Sequence, residues 1–172
     1  HGYVFLLSIV EPEARPDSGE WRVVSERQVD GVFVASPELS HRAYIDWLIE
    51  QGTPVVAVAH PPQAGLITLN VDNVEGGYVA TRYLVSRGHR RIGTIPGVDN
   101  GRTAGYQRAL EEAGLAFEPD LVQGGDWSYR SGFDAMQRLL RIAPDLTAVF
   151  AQNDQMAIGA MHALCDAGRR VP

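Results

Sequence analysis

A chain of 172 residues, 45% apolar and 21% charged, is long enough to bury a real core in one or two compact lobes. Its formal net charge of -6 leaves no basic footprint for nucleic acid, so this segment is not itself a DNA-contacting surface. A single cysteine, Cys165, excludes an internal disulfide and any Cys-x-x-Cys metal or redox site, and no apolar run approaches the roughly 18 residues of a membrane span.

Strand-like and helix-like blocks alternate from the first residues onward. The run YVFLLSIV (3–10) reads as a strand, and a proline-rich acidic loop, EPEARPDSG (11–19), follows it. A weakly marked helix (18–28) leads into a second strand, GVFVA (31–35), then an amphipathic helix (38–51) and a third strand, PVVAVA (54–59). After the loop HPPQAG come strand 66–71, helix 74–87, strand 91–96, helix 103–113, strand 121–125, helix 129–141, strand 146–151 and helix 154–167. Most strand runs are continuously apolar, as parallel strands covered on both faces require. Four of the five well-marked helices stop at a glycine, at 52, 88, 114 and 168, the usual left-handed helix terminus. Cys165 falls on the apolar side of the last helix and is expected to be buried.

Repeated β-α units imply an α/β architecture of parallel, doubly wound sheets with right-handed crossovers. In such sheets ligands bind beyond the carboxyl ends of the strands. The loops that matter are therefore those after Ala35, Ala59, Pro96, Gly125 and Ala151.

Enzyme signatures are missing from these loops. The glycines of VEGGY and PGVDNG match neither a Walker A loop nor GxGxxG. The five histidines are scattered, and no GxSxG elbow activates a serine. No catalytic residue, metal site or cofactor is expected. The strand-end loops instead offer groups for hydrogen bonding and stacking. Arg102 stands where a loop enters a helix and could fork onto adjacent hydroxyls or a carboxylate, or simply lie in solvent. Trp127, in GGDWS, could stack on a sugar ring or a base, or pack between lobes. Asn153 and Asp154 precede the last helix. Either could cap it, leaving the other free to reach a ligand. Ser36 and His60 are weaker ligand-binding candidates, chosen by position alone.

Six stretches in register, VDGVFVASPE (29–38), GTPVVAVA (52–59), VDNVEGGYVATRYLVSRGHRRIGTIPG (71–97), RTAGYQRALEEAGL (102–115), GDWSYRSGFDAMQRLL (125–140) and TAVFAQNDQMAIGAMHAL (147–164), resemble the effector-binding domain of LacI/GalR-type bacterial transcription regulators. The resemblance implies two periplasmic-binding-protein-like lobes hinged around a small molecule, divided as 1–71 and 72–172. It implies ligand contacts from Arg102 to ring hydroxyls, from Trp127 by stacking and from Asn153 to a hydroxyl, with Asp154 left as the helix cap. It also implies a cytoplasmic homodimer that senses a sugar-like effector, a purine or a nucleoside, and reaches DNA through a helix-turn-helix headpiece outside this sequence. A secreted sugar-binding protein of an uptake system shares the lobes and is the alternative. On this resemblance the chain reads as a piece of a protein about twice as long. Many members carry an aspartate after the PVV strand, whereas this chain has Ala59 with His60 beside it, and its loop between Gly97 and Arg102 is short.

Overall fold

The computed structural model describes residues 4, 6, 19–35, 42–59, 63–98 and 101–171, which fall into two compact units, His1–Val71 and Asp72–Pro172. The expected strand at 3–10 lies outside the described residues, apart from isolated positions.

The first unit contains α1 (Gly19–Ser25), β1 (Val32–Ala35), α2 (Arg42–Glu50), β2 (Val55–Val58) and β3 (Ile67–Leu69). The strands form one parallel sheet in the order β1-β2-β3, with Val34 opposite Ala57 and Ala57 opposite Thr68. Tyr44, Ile45 and Leu48 recur at three- and four-residue intervals along α2, so one face of the helix is apolar. That face closes on Val24, Val34, Val55 and Ala57. The helix ends where Gly52 turns left-handed at φ 69°. There Thr53 N–H donates to Leu48 O at 3.1 Å, satisfying a terminal carbonyl.

The second unit contains α3 (Asn73–Ser86), β4 (Ile92–Ile95), α4 (Arg102–Glu112), α5 (Tyr129–Ile142), β5 (Ala148–Ala151) and α6 (Asp154–Asp166). Strand β4 is buried along its whole length and pairs in parallel with β5, Ile92 opposite Ala148 and Ile95 opposite Ala151. Its two faces feed two cores, as a doubly wound sheet requires. Ile92 packs with Tyr106 and Leu110 of α4, while Ile95 packs with Met136 and Leu139 of α5 and Met156 of α6.

Two expectations are corrected here. The segment 121–125 is not a strand. Pro119–Leu121 is a 3-10 turn, and Val122 alone pairs with β4, opposite Thr94. Gly124 and Gly125 bring no side chains to pack on a pleated surface, which limits the pairing. Backbone bonds still hold the segment alongside β4, from Gln123 N to Thr94 O at 3.0 Å and from Gly125 N to Pro96 O at 2.6 Å. Cys165 is exposed. The buried stripe of α6 runs through Met156, Gly159, Ala160 and Ala163, and two further residues rotate Cys165 some 200° away from Ala163.

Glycines set how closely the helices of the second unit approach. A Cβ on Gly105 of α4 would lie 1.9 Å from Val74 O, and one on Gly77 of α3 would lie 2.1 Å from Arg102 O. On the other side of the sheet, a Cβ on Gly159 of α6 would lie 2.0 Å from Tyr129 O, and one on Gly132 of α5 would lie 2.3 Å from Met156 O. Gly76, next to Gly77 in α3, has nothing within 4 Å of where its Cβ would be. The two neighbours therefore have opposite expected responses. Gly77→Ala destabilises by at least the roughly 1–3 kcal/mol of an overpacked contact. Gly76→Ala stabilises by about 0.5–1 kcal/mol through reduced backbone entropy in a helix. Chemical denaturation of the two variants beside the unmodified protein measures both signs.

Candidate functional site

Three loops of the second unit meet at the carboxyl ends of its strands. The first follows β4 through Pro96, Gly97 and Val98 and re-enters the described residues at Gly101, whose φ of 90° starts α4. The second, Gly124–Ser128, lies between the Val122 bridge and α5. The third, Gln152–Asn153, joins β5 to α6. Because β4 and β5 are in parallel register to their last residues, the first and third loops leave the sheet side by side.

Arg102, the first residue of α4, is half-buried. Its guanidinium carbon lies 5.8 Å from the centroid of the Trp127 ring, within cation–π range. Its Nη1 donates to Gln152 O at 3.3 Å. The half-buried Trp127 indole lies directly on Gly97: a Cβ there would be 2.2 Å from Trp127 Cε2. Glycine is thus needed beneath the ring for steric reasons. Trp127 itself sits at φ 72°, a left-handed conformation that is uncommon for a bulky side chain and costs roughly 1–2 kcal/mol. Strain of this kind persists only where the surroundings enforce it.

Several bonds hold the tryptophan loop. Ser128 caps α5 by accepting from Ser131 N at 3.1 Å, and its own N–H donates to Asp126 Oδ1 at 3.0 Å. Asp126 N–H donates to Ser131 Oγ at 3.0 Å. Hydrogen bonds from Ser128 first and Ser131 second bring the Asp126 carboxyl down to about 2, so it stays ionised at ordinary pH. Arg138 of α5 braces the preceding residues from behind, through Nε to Gln123 Oε1 at 2.9 Å and Nη2 to Gly124 O at 3.0 Å.

The helix cap expected at Asp154 falls instead to Asn153. Asn153, extended at φ -151° and ψ 169°, is the cap of α6, and its Oδ1 accepts from Met156 N at 2.8 Å. Its Nδ2 donates to Trp127 O at 2.8 Å. Asp154 is an exposed residue of the first turn and does not cap, although its charge suits the positive end of the helix. The cap falls to Asn153 because it is the last residue with extended backbone, which aims its side chain at the free N–H groups.

The structure thus brings together Arg102, Trp127 and Asn153, from loops far apart in sequence. Ser36 and His60 lie outside the described residues. Ala59, after β2, is exposed at φ 58°, and its N–H donates to Leu69 O at 3.1 Å. Gly97, Asp126 and Gln152 were missed by sequence reasoning. Gln152 is 6% exposed, and its amide donates to Thr103 Oγ1 at 3.1 Å beside Arg102. Its position directly before Asn153 is the one local signal that could have found it. Chemically, the corner offers an aromatic surface beside a forked set of N–H donors, a combination suited to a polyhydroxylated ring. Among the described residues no group of three or more histidine, cysteine, aspartate or glutamate side chains could hold a metal ion.

The family model for periplasmic binding proteins and the sugar binding domain of the LacI family matches residues 3–172. The chain is 40% identical over 156 residues to the HTH-type transcriptional regulator CelR of Thermobifida fusca, covering 85% of this chain and 45% of that protein. It is 33% identical over 177 residues to the HTH-type transcriptional repressor PurR of Haemophilus influenzae, covering 99% of this chain and 52% of that protein. A solved transcriptional regulator CelR–cellobiose complex matches with a TM-score of 0.75 at 37% identity, covering 90% of this chain and 51% of that one. The chain spans about half the length of the curated relatives it matches. It belongs to the family of periplasmic binding proteins and LacI-type sugar-binding domains.

Proposed function

We propose that this chain is the effector-sensing part of a LacI-type transcription regulator, and that a sugar or sugar derivative binds at the corner formed by Arg102 and Trp127. The carrying observation is that a guanidinium and an indole 25 positions apart in sequence stand 5.8 Å apart at the carboxyl ends of parallel strands. Trp127 supplies an apolar surface for the C–H face of a pyranose, and Arg102 supplies paired donors for its hydroxyls. The regulators among its relatives favour this reading over a secreted binding protein, and favour a sensor over an enzyme. In the whole protein, a cytoplasmic homodimer, the ligand changes operator affinity by binding one conformation better than the other. The cellobiose complex of CelR makes a glucose disaccharide the first effector to try.

Calorimetric titration of the full-length protein with cellobiose, glucose, ribose and adenosine identifies the class of ligand. With the ligand that binds, Arg102→Ala removes charged hydrogen bonds worth about 1.5–3 kcal/mol, a loss of roughly 10- to 100-fold in affinity. Trp127→Ala weakens binding by a similar factor. Retained affinity in both variants would overturn the assignment of this corner.

A further inference from the structure

We infer that Gln152 is a positioning residue, whose buried side chain fastens the start of α4 and so sets where the Arg102 guanidinium stands. This rests on the reading of Arg102 and Trp127 as the ligand-facing pair. Gln152 directly follows β5 and is 6% exposed. Its N–H donates to Ile95 O at 3.1 Å, which ties it to the end of β4. Its carbonyl accepts from Arg102 Nη1 at 3.3 Å, and its side-chain amide donates to Thr103 Oγ1 at 3.1 Å. Arg102 and Thr103 are the first two residues of α4, so one buried residue holds both the helix start and the guanidinium.

The helices that start at this corner are not fastened alike. α5 and α6 begin at the side-chain caps Ser128 and Asn153. α4 begins at Gly101, whose φ is 90° and whose position makes no side-chain cap bond. A glycine suits that left-handed turn but brings no oxygen to the helix start. The Gln152 amide supplies an anchor there from the end of β5. Burying a long polar side chain costs desolvation and rotamer freedom, which its hydrogen bond offsets. With the amide gone, the first turn of α4 can shift against the end of β5. The guanidinium then loses its alignment with the Gln152 carbonyl and with the Trp127 ring, 5.8 Å away. Gln152 therefore acts on a ligand through Arg102. The substitution that isolates the idea is Gln152→Met, which keeps a side chain of similar length and removes its donor. Thr103→Val removes the acceptor of the same bond and is the second variant should methionine perturb the fold. Thr103→Ser keeps the hydroxyl and is expected to match the unmodified protein.

The full-length protein is labelled with 5-fluorotryptophan, and the Trp127 line is assigned in the fluorine spectrum by its loss in Trp127→Phe. Without any ligand, the proposal expects Gln152→Met to move that line toward its position in Arg102→Ala. In the Arg102→Ala background it expects Gln152→Met to move the line no further, because the group being positioned is absent. With a sugar that binds, cellobiose being tried first, Gln152→Met lowers affinity about 3- to 10-fold and adds no loss to that of Arg102→Ala. An unmoved line, or an equal displacement in both backgrounds, would mean that Gln152 serves the fold alone, and overturns the proposal. So does undiminished affinity of Gln152→Met for a sugar that the unmodified protein binds. Failure of cellobiose to bind the unmodified protein counts against the sugar reading, while the indole line still decides the role of Gln152.

Discussion

The candidate site depends on one piece of backbone pairing, the parallel register of β4 on β5. Ile95 opposite Ala151 puts Pro96 and Gln152 at the same level, so the loops after both strands leave the sheet as neighbours. A side chain reinforces that register, Thr94 Oγ1 donating to Phe150 O at 2.9 Å, and the buried Tyr106 hydroxyl ties α4 to β4 by donating to Ile92 O at 2.7 Å. A slip of one residue would exchange the two faces of β4, sending Ile92 and Ile95 each to the wrong core. It would also separate Arg102 from the Gln152 carbonyl. The fold and the site thus share a single constraint.

From that register outward, close approach has been chosen over conformational ease. Glycines let α3 meet α4 and α5 meet α6 nearly backbone to backbone, and Gly97 lets an indole lie flat on the strand end. Trp127 adopts a backbone conformation that tryptophan disfavours, held by Asn153 from one side and by the Asp126–Ser128–Ser131 bonds from the other. These contacts hold the indole in one place, the pre-organisation that the proposed ligand-binding role calls for.

Much of this was legible in the sequence, and the pattern of what was not is physical. Continuous apolar runs and glycine helix stops marked the elements, because burial on both faces and left-handed termini leave local signatures. Gly52, Gly88, Gly114 and Gly168 all turn left-handed where expected. Arg102, Trp127 and Asn153 were singled out by position at strand ends, and the structure brings the three together. The division of labour within the Asn-Asp pair was not readable. Both residue types cap equally well, and the deciding factor, which of them keeps extended backbone, is a property of the folded chain. The strand expected at 121–125 failed for a related reason, because Gln123 and Gly125 hydrogen-bond alongside β4 while Gly124 and Gly125 bring no side chains to complete a pleat. Gly97 carried no sign of its role, since its partner lies thirty residues downstream.

The central claim is that Arg102 and Trp127 together face the effector. A crystal structure of the full-length protein with its tightest-binding sugar tests it most directly. The account predicts a sugar ring in van der Waals contact with the Trp127 indole and hydroxyls within hydrogen-bonding distance of the Arg102 guanidinium. A sugar bound elsewhere, touching neither side chain, would contradict it.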